Sequence, residues 1–282
     1  MQNLFGLHII RFDGGLGNQM FEYAFYLSMR HQHSNGIYAF DTIASNTAHN
    51  GFELDRIFGI DSCRKQKRLS GLRKLAHRHI LRIREVTEDN FMTYCPRVYN
   101  EKGCANEYVG YWQTEKYFLQ IEDEVRRVFR FREELLSERT KTMSVALHKN
   151  AKSISLHVRR GDYKVIDNTK TFGIEYYDAA VKLLREKHNG GDLIVFSDDP
   201  EWAKNNLPYK DMTVVDWNNG VDSWQDMYLM SQCTYNIIAN SSFSWWGAWL
   251  NSNPEKLVIA PKKWMKDEPE HADIIPTSWI RL

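Results

Sequence analysis

Short β-branched runs alternate with helix-like segments through the second half of the chain, and this alternation restricts the fold more than any other feature. Ser153–Val158 sets Ile154, Leu156 and Val158 against Ser153, Ser155 and His157, the period of a strand. A helix over about Glu175–Lys187 follows, closed by Gly190 and Gly191. Leu193–Phe196, Met212–Val215, Tyr235–Ala239 and Leu257–Ala260 read as further strands. Between them Pro200 opens one helix at its first turn, Ser223-Trp-Gln-Asp226 has the form of a capping box, and Phe243–Leu250 reads as another helix. Strands joined by crossover helices run parallel, and a right-handed crossover makes an open, doubly wound sheet the economical arrangement.

The N-terminal third starts the same way, with strands at Leu7–Phe12 and Gly36–Phe40 around a helix over about Gln19–His31. The 282 residues, 43% of them hydrophobic, suffice for two cores. The expectation is therefore an α/β chain of two domains, 1–145 and 146–282, with an acid-rich helix around Gln120–Arg139 as the bridge.

Thirty-seven Lys and Arg nearly cancel thirty-six Asp and Glu, so nothing in the charge balance calls for nucleic acid. Cys63, Cys95, Cys104 and Cys233 show no zinc-like spacing and fit free thiols. No leader-like start and no run of about 18 apolar residues occurs, which points to the cytoplasm. Residues 64–84 carry nine Lys or Arg before the first acid. They read as a solvated helix face, or alternatively as a peripheral contact with anionic lipid at the inner membrane.

In open parallel sheets ligands bind beyond the carboxyl ends of the strands. The polar clusters of the second half all fall there: His157 to Tyr163, Ser197 to Asp199, Asp216 to Asn219 and Asn240 to Ser244. Arg159 and Arg160 offer planar forks suited to a diphosphate, and alternation puts Arg159 on the His157 face. Structural ion pairs are the plainer use of the two arginines. Asn240, Ser241, Ser242 and Phe243 precede a helix, where hydroxyls and backbone N–H groups suit a second phosphate oxygen or a simple N-cap. Ser197, Asp198 and Asp199 lack metal-ligand spacing; an acid there suits the donor edge of guanine, with helix capping as the alternative.

The N-terminal stretch Arg11-Phe-Asp-Gly-Gly-Leu-Gly-Asn-Gln-Met20 has the strand–turn–helix form of a dinucleotide site. Methionine at Met20 stands where the third glycine of G-x-G-x-x-G belongs, which speaks against an NAD-dependent dehydrogenase. A non-catalytic sugar- or nucleotide-binding module is the other alternative.

Four stretches give a more specific resemblance: Gly14-Gly-Leu-Gly-Asn-Gln-Met-Phe21, Gly110-Tyr-Trp-Gln-Thr-Glu-Lys-Tyr-Phe118, His157-Val-Arg-Arg-Gly-Asp-Tyr163 and Asn240-Ser-Ser-Phe-Ser-Trp-Trp-Gly247. With them the chain resembles the α-1,2-fucosyltransferases of glycosyltransferase family eleven, of bacterial type. The resemblance implies a GT-B-like fold, with two Rossmann-like doubly wound domains facing across a cleft, the first on the acceptor side and the second binding the GDP-sugar. It implies inverting transfer from GDP-β-L-fucose to the 2-hydroxyl of a galactose-terminated oligosaccharide or glycan precursor, with no metal and no other cofactor. Another GDP-sugar transferase shares most of these features.

Under that resemblance Arg159, with His157, Ser241, Ser242 and the Phe243 backbone, stabilises the leaving diphosphate, and Asn240 and the Ser197–Asp199 turn complete the donor site. Asp162 and Asp167 are nominated as base, with Asp13 a third candidate and Asn18 a weaker assistant. Gly15, Gly17, Asn18, Gln19, Trp112 and Gln113 are assigned to the acceptor side, although core packing suits Trp112 equally. Trp245 and Trp249, four apart on a helix, read as packing.

Overall fold

The computed structural model describes residues 6–47, 49–62, 65–66, 82–149, 152–160, 172–269 and 271–282. The chain forms two compact units, Met1–Arg132 with His271–Ile274, and Glu133–Glu270 with Ile275–Leu282. The boundary expected at 145 falls inside a helix of the second unit.

In the first unit, strands β1 (Leu7–Arg11), β2 (Ile37–Asp41), β3 (Arg84–Thr87) and β4 (Ala105–Val109) make a parallel sheet in the order β2-β1-β4-β3. Helix α1 (Leu16–Gln32) is buried from Leu16 to Met29 except at Asn18, so its sequence is apolar nearly all round. Phe25 of α1 stacks on Trp112 with ring centroids 4.0 Å apart and 8° between planes. The unit also carries the short helices α2 (Ile43–Asn46), α3 (Leu54–Phe58) and α4 (Glu122–Val128).

The second unit opens with α5 (Glu138–Lys149) and carries β5 (Ser153–Val158), α6 (Ile174–His188), β6 (Asp192–Ser197), α7 (Pro200–Asn206), β7 (Thr213–Val215), α8 (Trp224–Gln232), β8 (Tyr235–Ile237), α9 (Ser242–Leu250), β9 (Leu257–Ala260) and β10 (Ile280–Arg281). Its strands lie parallel in the order β10-β9-β8-β5-β6-β7. β5 is buried at every position, as a central strand covered on both faces must be. Its apolar face packs on Tyr177, Val181 and Leu184 of α6.

The strand–helix alternation of the second half is as expected, and both sheets are parallel. Three details differ. The Ser223–Asp226 capping box does not form: Ser223 makes no side-chain cap, and Asp226 instead accepts from Asn218 Nδ2 at 2.8 Å. The acid-rich stretch does span the division between the units, but not as one helix: α4 ends before the division and α5 starts after it. Strands β3 and β4 were not anticipated. Trp245 and Trp249 are buried and stacked, 6.2 Å apart, as packing residues.

Most of the basic stretch 64–84 lies outside the described residues. Within it, Lys65 Nζ sits over the rings of Tyr26 and Phe40, and Arg84 pairs with Glu101 at 3.0 Å. Among the described residues no helix is long and apolar enough to cross a membrane.

Candidate active site

Each sheet contains one place where the strand order reverses. In the second unit the chain runs from β5 outward to β6 and β7, then returns to the other side of β5 with β8. The crevice beyond the carboxyl ends of β5 and β8 is that unit's topological switch point, where open α/β sheets bind ligands. His157 and Arg159 end one strand; Asn240, Ser241 and Ser242 follow the other.

Arg159 and Arg160 leave β5 toward different partners. Arg159 Nη1 lies 3.2 Å from Asp198 Oδ2, and the arginine side chain keeps about a quarter of its surface exposed. Arg160 stacks over the Trp202 ring at 3.8 Å, with its Nε 3.8 Å from Asp199 Oδ2. The Asp198 Oδ1 atom accepts from the Arg160 N–H at 2.9 Å, so one carboxylate braces both arginines. Asp199 also caps α7 by accepting from Trp202 N at 3.2 Å. Ser197 Oγ donates to the Val158 carbonyl at 2.9 Å and accepts from Asp199 N at 3.0 Å, tying the ends of β5 and β6 together. The three residues nominated for guanine thus hold the arginine turn.

His157 is 5% exposed, with its ring 6.0 Å from that of Phe243. Burial, and then the charge of Arg159, pull its pKa down to about 3, so it is neutral at physiological pH. Its Nδ1 has no hydrogen-bond partner among the described residues. A buried polar atom of this kind calls for a partner, which a ligand would supply.

Ser241 is the extended N-cap residue of α9; its side chain does not cap the helix, and the first turn carries no acid. The positive helix end is thus not neutralised from within the turn. Asn240 is buried and donates to the Trp264 carbonyl at 2.9 Å, which fixes the turn leading into the helix.

In the first unit the order reverses between β1 and β4, and the loops there are Asp13–Gly17 and Gly110–Gln113. Gly14 has a φ of +71°, a backbone conformation that favours glycine, and a Cβ on it would displace the Asn18 amide, 2.5 Å away. Gln113 Nε2 donates to Asn18 Oδ1 at 2.8 Å across the reversal.

Gln19 does not face outward: it is fully buried, its Nε2 donating to Gly14 O and Gly51 O and its Oε1 accepting from Glu53 N, all at 2.9 Å. The Trp112 ring is likewise fully buried, so it packs and offers no face to a sugar. Gly15 precedes α1 close to the His49 ring, and Gly17 lies within the helix.

Four backbone N–H groups of these loops are occupied by carboxyl groups of the same unit. Asp13 N donates to both oxygens of Glu22 at 3.0 and 3.2 Å, Gly14 N to Asp13 Oδ1 at 2.7 Å, and Tyr111 N and Trp112 N to Glu88 Oε1 at 2.7 and 3.0 Å. Burial pushes the Glu88 carboxyl up to about 7 and that of Glu22 well above the usual range. Sequence reasoning missed both acids. The signal for Glu22 is an acid inside an otherwise apolar helix, Met20-Phe-Glu-Tyr-Ala-Phe25. Asp162 and Asp167, nominated as base, lie outside the described residues. Among the described residues no three His, Cys, Asp or Glu side chains converge to hold a metal.

The family model described as Glycosyl transferase family 11 matches residues 1–282. An Escherichia coli protein named Alpha-1,2-colitosyltransferase is 33% identical over 269 residues, 91% of each chain. The Oryctolagus cuniculus Galactoside alpha-(1,2)-fucosyltransferase 1 is 25% identical over 260 residues, 87% of this chain and 64% of that protein. Among solved structures, the fucosyltransferase NodZ from Bradyrhizobium superposes with a TM-score of 0.51 at 13% identity, over 86% of this chain and 92% of the other. The two parallel-sheet units share the GT-B-like architecture of such enzymes.

Proposed function

Because the chain belongs to glycosyltransferase family 11, we propose that it moves L-fucose from GDP-β-L-fucose to the 2-hydroxyl of a terminal galactoside, with inversion and without a metal. The second unit takes the donor and the first unit the acceptor. The observation that carries this division is the contrast between the two switch points. In the first unit four loop N–H groups, those of Asp13, Gly14, Tyr111 and Trp112, are taken by Glu22, Asp13 and Glu88, so a phosphate there would meet carboxyl groups. In the second unit a part-exposed arginine lies one residue beyond β5, while the helix N-terminus after β8, like that of α1 in the first unit, has no acid in its first turn.

During transfer, negative charge grows on the leaving diphosphate while the sugar takes on oxocarbenium character. Fixed cationic and N–H donors at the diphosphate then stabilise the transition state more than the ground state. Arg159, held by Asp198, supplies the fork, and the Ser242 and Phe243 N–H groups lie at the positive end of α9. His157, kept neutral by burial, offers the diphosphate one ring N–H and no charge, so the positive charge there comes from Arg159. The acceptor hydroxyl loses its proton to a carboxylate, with Asp162, Asp167 and Asp13 as the candidates and Asn18 orienting the hydroxyl.

The relative named for colitose transfer favours a second donor, the corresponding colitosyl nucleotide, since colitose is fucose without its 3-hydroxyl. The test is incubation with GDP-fucose or GDP-colitose and a panel of galactosides, with and without EDTA. The reading expects an α-1,2-linked fucosyl product that survives EDTA. Colitosyl product alone would move the assignment to the second donor, product lost under EDTA would overturn the metal-free step, and no transfer from either donor would overturn the proposal.

A further inference from the structure

We propose that Glu88 and Glu22 are positioning residues for the acceptor, each fixing one of the two loops at the first unit's switch point. The inference rests on the acceptor role just given to that unit.

Glu88 lies one residue beyond β3 and gathers two successive N–H groups, Tyr111 and Trp112, on one oxygen. Gly110 leaves it the space, since a Cβ there would lie 2.7 Å from the same oxygen. Trp112 has a φ of +54°, a strained conformation for a residue with a side chain. Three contacts hold it there: the Glu88 bond, the stack on Phe25, and Thr114 N donating to its carbonyl at 2.8 Å. The bend aims the next side chain, so that Gln113 reaches Asn18 at 2.8 Å. Glu22 does the same for the other loop, with both oxygens on Asp13 N and no exposed surface. An acid in an apolar helix is costly unless it satisfies a group that apolar packing cannot, and here that group is the loop backbone. Asp13 and Glu88 face Glu22, and Tyr117 faces Glu88.

The test is steady-state kinetics of Glu88→Ala, Glu88→Gln, Glu22→Ala and Gln113→Ala with GDP-fucose and the galactoside that wild type uses best, beside GDP affinity by calorimetry. Both glutamate-to-alanine variants and Gln113→Ala are expected to raise the galactoside KM tenfold or more with the GDP Kd within twofold. Glu88→Gln should stay within threefold of wild type, because an amide oxygen still accepts both N–H groups. A galactoside KM within twofold of wild type in Glu88→Ala, an equal loss of GDP affinity, or a Glu88→Gln no better than Glu88→Ala overturns the inference. Should the glutamate-to-alanine variants not fold, Gln113→Ala decides, an unchanged KM overturning it. A wild type that transfers nothing from GDP-fucose fails the functional reading separately. The inference is then read from galactoside binding by saturation-transfer NMR on the same proteins, and a wild type that binds none overturns it too.

Discussion

The Asp198 carboxylate lies 3.2 Å from the Arg159 guanidinium, and its other oxygen receives the backbone N–H of the next residue. An acid so placed orients an arginine; it has little left for reading a base. Asp198→Ala should therefore lower turnover about tenfold while the ratio of GDP to IDP affinity stays constant, as measured by competitive inhibition. A ratio that collapses toward one would return Asp198 to guanine recognition. Arg159→Ala should cost about 3 kcal/mol or more of transition-state stabilisation, and Arg159→Lys should recover only part, having no planar fork.

Gln19 ties the glycine loop to Gly51 and Glu53 by three hydrogen bonds and has no exposed surface. Gln19→Ala leaves a buried backbone N–H and two carbonyls without that partner and should cost about 2 kcal/mol of stability, read by urea unfolding. A variant as stable as wild type with impaired acceptor binding would instead put Gln19 in contact with substrate.

Gly247 sits where α9 crosses α8, and a Cβ there would lie 2.9 Å from Met230 Cβ. Gly247→Val should destabilise the second unit by about 2 kcal/mol through overpacking. Because α9 carries the Ser242 end, GDP affinity should fall with it.

Asp226 makes stability depend on pH. Burial pushes its carboxyl up to about 7, above the unfolded value of 3.8. The folded state thus holds a proton that the unfolded chain gives up, and its stabilisation, complete below about pH 4, is lost as the pH rises through 7. The loss runs at about 1 kcal/mol per pH unit. Asp226→Asn keeps an acceptor for Asn218 and cannot ionise, so its unfolding midpoint should vary less than that of wild type between pH 5 and 7.5. Parallel curves would remove Asp226 from the account.

Much of this was legible in the sequence, for physical reasons particular to each element. β5, β6 and β8 are short apolar runs, and the polar residues after them fall at strand ends whatever the strand order. β3 was not legible because Val86 is its only buried residue, and β4 because it carries Asn106 and Glu107 among its apolar positions. The switch points themselves depend on strand order, which local pattern does not encode. Gln19 reads as an outward group because its motif is rich in polar types, and Trp112 reads equally as sugar wall or core, whereas the fold buries both.

The central claim is that the diphosphate binds at the second unit's switch point and not at the glycine loop. Hydrogen exchange with and without GDP tests it directly. The account predicts that GDP slows exchange over His157–Arg160 and Ser241–Trp245 and leaves Gly14–Asn18 unchanged. Protection at Gly14–Asn18, with none beyond β5 and β8, would contradict it.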